Sequence, residues 1–341
     1  MTATSASISP AGAAGAPRPL PTIADVRAAH DRIKPYIVAT PLIEHPALNR
    51  ATGGRILFKC ENLQSVGAFK MRGAYNACSQ IDRARYPGGV VACSSGNHAQ
   101  GVAAAATLLG LKSLIVMPAD APALKLARTK AFGAEVHTYD RVKEDREEIA
   151  RRLCAERQAA LVHPFDDAHV MAGQGTTGIE IMEKAAQQGL MPDVVLAPCS
   201  GGGLVGGISI AVKAANAATQ VYAVEPAGFD DLARSLASGR HEINAKLSGS
   251  ICDALLAPTP GEITFAVARQ NLAGSLVVTD DEARQAIRFA FHELKQVLEP
   301  GGAVALAAVL TNKLPTKGRT IALVLSGGNI DPRQFAQIIV A

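Results

Sequence analysis

Six short, nearly unbroken apolar runs, at residues 56–60, 89–93, 113–117, 194–197, 221–224 and 320–325, constrain this chain more than any other feature. Runs such as Ile56-Leu-Phe and Ile321-Ala-Leu-Val-Leu do not alternate apolar with polar side chains. A strand that reads this way is covered on both faces, which is the condition of a parallel sheet. Stretches of helical character separate the runs, at residues 98–109, 143–157, 203–216 and 280–297, with Gly or Pro at many junctions. Buried strands spaced by helices specify an α/β fold with helices on both sheet faces. Two strand–helix units over residues 90–134 predict a compact lobe, and the strands after residue 191 predict a second sheet. A cleft between them is the natural ligand site.

Composition narrows the function. Aromatic residues make up 4% of the 341 residues and Trp is absent, so platforms for stacking bases are not expected. The net charge of +4 is spread along the chain without a basic block, which argues against a nucleic-acid partner. Cys60, Cys78, Cys93, Cys154, Cys199 and Cys252 form no CxxC pair and read as reduced thiols of a cytoplasmic protein. Residues 1–20 are mainly Ala, Ser, Pro and Gly, a disordered lead-in rather than a signal peptide. No apolar run reaches membrane-spanning length, so no membrane partner is expected.

One lysine is placed for chemistry. In Glu61-Asn-Leu-Gln-Ser-Val-Gly-Ala-Phe-Lys70-Met-Arg-Gly-Ala, Lys70 follows an aromatic residue and small residues at the opening of a helix. Such an amine suits condensation with a carbonyl compound better than it suits solubility.

Three further segments carry ligand-binding equipment. Strand 194–197 runs into Ser200-Gly201-Gly202-Gly203-Leu204, where consecutive N–H groups at a helix start can cradle a phosphate. Gly201, Gly203 and Gly206 also satisfy GxGxxG, with Glu225 about 20 residues on. A nicotinamide-dependent dehydrogenase is therefore a rival reading. Ser94-Ser95-Gly96-Asn97-His98 opens a helix with more polar groups than a cap needs, and these suit a carboxylate. Plain N-capping by Ser94 or Ser95 is the simpler account of the same residues. Ser326 ends an apolar strand, where α/β sheets place ligand contacts, although a turn serine would read alike.

Taken in order, GAFKMRGA, SSGNHAQG, SGGGL and LSGGN resemble the pyridoxal-phosphate enzymes of fold type II, the serine/threonine dehydratases and serine racemase above all. The resemblance spans residues 21–335 and outweighs the dehydrogenase reading. It implies a tryptophan synthase β-like α/β fold in two lobes of parallel or mixed sheet. Residues 21–80 and 168–341 would form the large, cofactor-binding lobe and residues 81–167 the small one. It also implies pyridoxal 5′-phosphate as cofactor, an amino acid as substrate and a homodimer.

The site residues follow from the same resemblance. Lys70 would join the cofactor through its amine, Phe69 would lie beside the ring, and Asn97 would meet its 3′ oxygen. Ser200, Gly201, Gly202, Gly203 and Leu204 would hold the phosphate, and Ser326 would face the ring nitrogen. A serine there does not stabilise a protonated ring as a carboxylate does, which favours prompt loss of a β-hydroxyl. Ser94, Ser95, Asn97 and His98 would take the substrate carboxylate.

Lys70 and Ser95 are the expected catalytic groups. Ser95 is the position that serine racemase uses as an acid on the opposite face, so racemisation is the alternative to dehydration. Arg146, on a charged helix that otherwise reads as a solvated face, matches an arginine near the substrate side chain in serine racemase. If it enters the cleft, 3-hydroxyaspartate becomes a substrate. Glu225, the carbonyl of Phe229 and Asp231 match a Mg²⁺ or Ca²⁺ site of relatives, or else form a solvated acidic turn.

Overall fold

The computed structural model describes residues 19–94, 96–121, 123–140 and 143–340. The expected lead-in lies outside these residues except for Pro19 and Leu20. Leu20 packs against Met171, Ile263 and Val267, so this end of the expected lead-in joins the core.

Among the described residues ten strands form two sheets. In chain order they are β1 (Leu42–Glu44), β2 (Arg55–Lys59), β3 (Val90–Cys93), β4 (Ser113–Pro118), β5 (Glu135–Tyr139), β6 (Ala160–Leu161), β7 (Val194–Pro198), β8 (Gln220–Pro226), β9 (Gly274–Val278) and β10 (Thr320–Val324). The larger sheet runs β1-β2-β10-β7-β8-β9 and the smaller β5-β4-β3-β6. Every pairing is parallel except β1 with β2. The larger sheet is not built only from strands after residue 191, as expected, because β2 inserts beside β10. Its five residues are buried but for Arg55, so it needs cover on both faces and finds it there.

Two helices depart from expectation. The helix Ala168–Gln187 has no clear sequence signal, because its glycines are weak helix formers. They are required by packing: a Cβ at Gly173 would meet Gly73 and the Arg72 carbonyl, and one at Gly178 would meet the Ile208 carbonyl. The helix expected over 280–297 ends sooner. Asp280–Phe289 passes through a wider turn at Ala290–Leu294, and Lys295 takes a left-handed φ of 57°. That stop places Glu299 as the N-cap residue of Pro300–Leu310, whose leading proline suits the first helical turn.

Behind the helix Lys70–Cys78 lies a buried ionic cluster. Arg72 donates to both oxygens of Glu61 at 2.7 and 2.8 Å, and to Glu180 at 2.7 and 3.0 Å. Lys59 Nζ donates to Glu180 at 2.5 Å and to Thr40. Burial alone would raise both carboxyls, but Arg72 and then Lys59 hold them below the usual range. Two cations and two carboxylates thus fix the helix that begins at Lys70.

Candidate active site

Loops at the carboxyl ends of β3, β7 and β10 converge on a cavity of about 670 Å³, the position ligands take in parallel sheets. Lys70 is the first residue of its helix and reaches in from one side. Its Nζ donates to the Pro164 carbonyl at 2.6 Å and stands 5.2 Å from the Phe69 ring centre. Burial pushes the amine down to about 8, so roughly a tenth of it is unprotonated at pH 7. Phe69 and its neighbours are pinned from behind. The Phe69 N–H donates to the Ser326 carbonyl at 3.1 Å, and Ala68 bridges Gly327.

The glycine loop lines the same cavity as Lys70. Ser200 through Leu204 all line it, and Gly203 opens the helix Gly203–Ala215. Gly202 has a φ of +92°, which only glycine adopts without strain. A Cβ there would also strike Thr264, whose Oγ1 donates to the Gly201 carbonyl at 2.6 Å. Phe165 packs on Gly201 and Gly203 so closely that neither has room for a side chain. Ser200 Oγ accepts from the Ala257 N–H at 3.0 Å.

The helix Asn97–Leu108 brings the third set. Ser94 Oγ accepts the Gly96 N–H at 3.1 Å, a local turn, while Ser94 still lines the cavity. Ser95 lies outside the described residues. Asn97 Nδ2 donates to Glu299 Oε1 at 2.6 Å, and its Oδ1 accepts from Asn329 Nδ2 at 2.8 Å. His98 is buried with Nε2 at 3.0 Å from the Val162 carbonyl. A carbonyl only accepts, so Nε2 carries the hydrogen and the partnerless Nδ1 is bare. Burial first, and the Lys70 charge second, push His98 down to about 3, so the ring stays neutral.

Ser326 is buried and opens onto the cavity at the end of β10. Arg146 lines the same cavity from the start of Arg146–Arg157, exposed and with no ion pair among the described residues. Phe69, Lys70, Ser94, Asn97, His98, Arg146, Ser200 to Leu204 and Ser326 therefore share one cavity.

Sequence reasoning missed Pro164, Glu299 and Asn329. A backbone acceptor leaves no side-chain signal, and Glu299 reads as an ordinary residue before a helix-opening proline. Asn329 lies inside the LSGGN motif, yet nothing in the motif alone gives it a task. Glu299 is buried, and burial followed by Asp253 pushes its carboxyl up to about 7.

The expected cation ligands stand elsewhere, at the end of β8. Glu225 accepts the Leu232 and Ala233 N–H groups at 2.9 Å and Ser275 Oγ at 2.5 Å. Asp231 Oδ1 accepts from Asn244 at 2.6 Å, whereas its buried Oδ2 has no partner. Burial pushes Glu225 up to about 8 and Asp231 up to about 6. Two desolvated carboxylates with an orphaned oxygen fit a hard cation. The pair is not a solvated turn, because both are buried. Among the described residues no group of three or more His, Cys, Asp or Glu side chains forms a metal cluster. The dehydrogenase reading fails at the same place, since the Glu225 carboxylate is enclosed and cannot reach a ribose.

The cavity fits pyridoxal phosphate: a half-buried lysine of lowered pKa and a side-chain-free helix start both line it. The chain matches the family described as pyridoxal-phosphate dependent enzyme over residues 33–327. L-threo-3-hydroxyaspartate ammonia-lyase of Saccharomyces cerevisiae is 40% identical over 320 residues, 94% of this chain and 97% of that protein. Serine racemase of Dictyostelium discoideum is 38% identical, covering 93% and 98% of the two chains. The solved T.th. threonine deaminase superposes with a TM-score of 0.85 at 45% identity, covering 91% of this chain and 99% of that one.

Proposed function

The chain belongs to the pyridoxal-phosphate dependent enzymes, among ammonia-lyases and racemases, and within that family we propose that it removes water from a β-hydroxy-α-amino acid, the released enamine then taking up water to give a 2-oxo acid and ammonia. The observation that carries this reading is Lys70, its amine lowered to about 8 at the wall of a cavity that also holds Ser326. Bound pyridoxal phosphate supplies the electron sink that makes an amino acid's α-proton removable.

The chain's own groups do the rest. The Lys70 amine, unprotonated in part at neutral pH, takes the α-proton as a general base. The Pro164 carbonyl is the acceptor for that amine when it is free of the cofactor. Asn97 donates toward the cofactor's 3′ oxygen, and the Ser200 to Leu204 backbone receives its phosphate. The helix start at Ser94, Asn97 and His98 receives the substrate carboxylate. The Ser326 hydroxyl offers the ring nitrogen no negative charge, which favours prompt departure of the β-hydroxyl over reversible proton return. Ser95 is assigned as the acid on the opposite face, the residue that racemisation would use.

The finer substrate reading is 3-hydroxyaspartate, supported by the Arg146 guanidinium in the cleft, which has no ion pair among the described residues. A second carboxylate on the substrate would pair with it in bidentate fashion. We also assign Mg²⁺ or Ca²⁺ to Glu225, the Phe229 carbonyl and Asp231, on the strength of the orphaned Asp231 Oδ2. The two sheets are read as two lobes, 21–80 with 168–341 and 81–167, in a cytoplasmic homodimer. Among the described residues no helix is long and apolar enough to cross a membrane.

Release of 2-oxo acid from L-threonine, L-serine and L-threo-3-hydroxyaspartate, with D-serine formation followed alongside, tests the reading. Arg146→Ala should cost the acidic substrate roughly tenfold to a hundredfold in kcat/KM while threonine changes less than about threefold. D-serine as the main product, or equal losses on both substrates, would overturn the corresponding assignment.

A further inference from the structure

A chain of side-chain hydrogen bonds crosses the cleft between segments of the two sheets. Arg128 Nη1, on the helix Ala123–Ala131, donates to Asn329 Oδ1 at 3.2 Å. Asn329 Nδ2 donates to Asn97 Oδ1 at 2.8 Å and to the Val66 carbonyl at 2.8 Å. Asn97 Nδ2 donates to Glu299 at 2.6 Å. The Val66 carbonyl can only accept, so it decides which end of the Asn329 amide is nitrogen. That choice then sets Asn97 with its oxygen toward Asn329 and its nitrogen toward Glu299, leaving the second Nδ2 hydrogen for another acceptor.

The surrounding backbone is shaped for this. Gly67 takes a φ of +74°, and a Cβ there would sit 2.6 Å from Asn329 Oδ1. The Gly328 N–H donates to the Gly67 carbonyl at 2.9 Å, in the same loop pairing that holds Phe69 on Ser326. The helix carrying Arg128 makes a second tie across the cleft, Lys125 to Asp253 at 2.5 Å.

We propose that Asn329 is a positioning residue that fixes the Asn97 amide for its cofactor contact, and that Arg128, on the helix Ala123–Ala131, supports the Asn329 amide through its oxygen. The inference rests on the reading that Asn97 meets the cofactor. Arg128 lines the same cavity as Arg146, so the substrate dependence of its replacement separates a positioning role from substrate contact.

A mutant cycle on the holoenzyme tests it, reading the cofactor's absorbance spectrum and kcat together. Asn97→Ala and Asn329→Ala should each shift the spectrum and lower kcat roughly tenfold to a hundredfold, since misplacement of about 1 Å at a reacting centre costs that much. The double variant should match Asn97→Ala within about twofold, because the two act through one amide. Arg128→Ala, on an exposed helix face, should shift the spectrum in the same sense without changing the ratio of rates on 3-hydroxyaspartate and threonine. Losses that multiply in the double variant would overturn the relay, as would an Arg128→Ala effect confined to the acidic substrate. An Asn97→Ala spectrum identical to wild type would instead remove the cofactor contact itself, and the relay with it.

Discussion

Lys70 combines partial enclosure, a single carbonyl acceptor and, among the described residues, no carboxylate partner. No carboxylate offsets the burial, which is why its amine falls to about 8 while a lysine in an ion pair stays charged. The sign is definite. Below that value the amine is protonated and cannot attack a carbonyl; above it the amine is free. Reloading of apoenzyme with pyridoxal phosphate should accelerate with pH, reach half its limit near 8 and level off above. A rate flat from about pH 6 to about pH 9 in stopped-flow absorbance would contradict the role given to burial. His98, pushed down to about 3, adds no competing titration in that window. Residues in local motifs are legible in the sequence because each motif carries its own turn and helix start. Pro164 and Glu299 are not, since their roles arise only when distant segments meet.

Among elements, the sequence-predicted strands are the interior ones. β2, β3, β4, β7, β8 and β10 each have neighbours on both sides, and each reads as a continuous apolar run. β1, β5, β6 and β9 lie at sheet edges and leave no such run. Glu135-Val-His-Thr-Tyr is only partly buried, and Ala160-Leu161 is too short to show a pattern. Edge strands are kept short and polar because a long apolar edge invites pairing with another chain. At the end of β8, Glu225 faces Asp231 at the start of Asp231–Ser238, joining strand to helix through two buried acids. A divalent cation bound there stabilises the folded chain by mass action, about 2.7 kcal/mol at roughly a hundredfold excess over Kd. Mg²⁺ or Ca²⁺ should therefore raise the Tm of wild type, and Asp231→Asn should remove the increment. A wild-type Tm indifferent to both ions would dispose of the site.

At the scale of the molecule, two largely parallel sheets bring their strand ends to one cavity, and each supplies what the other lacks. The larger sheet brings the glycine loop and Ser326, and the smaller brings Ser94, Asn97 and His98. Lys70 stands between them on a helix fixed by the Glu61, Arg72 and Glu180 cluster. The arrangement explains how widely spaced motifs serve one reaction. Its central claim is that a single lysine carries the cofactor. Borohydride reduction of the holoenzyme followed by peptide mass mapping tests this directly. A reduced pyridoxyl adduct is expected on Lys70 and none in Lys70→Ala; an adduct on another lysine, or its persistence in the variant, would show that Lys70 does not carry the cofactor.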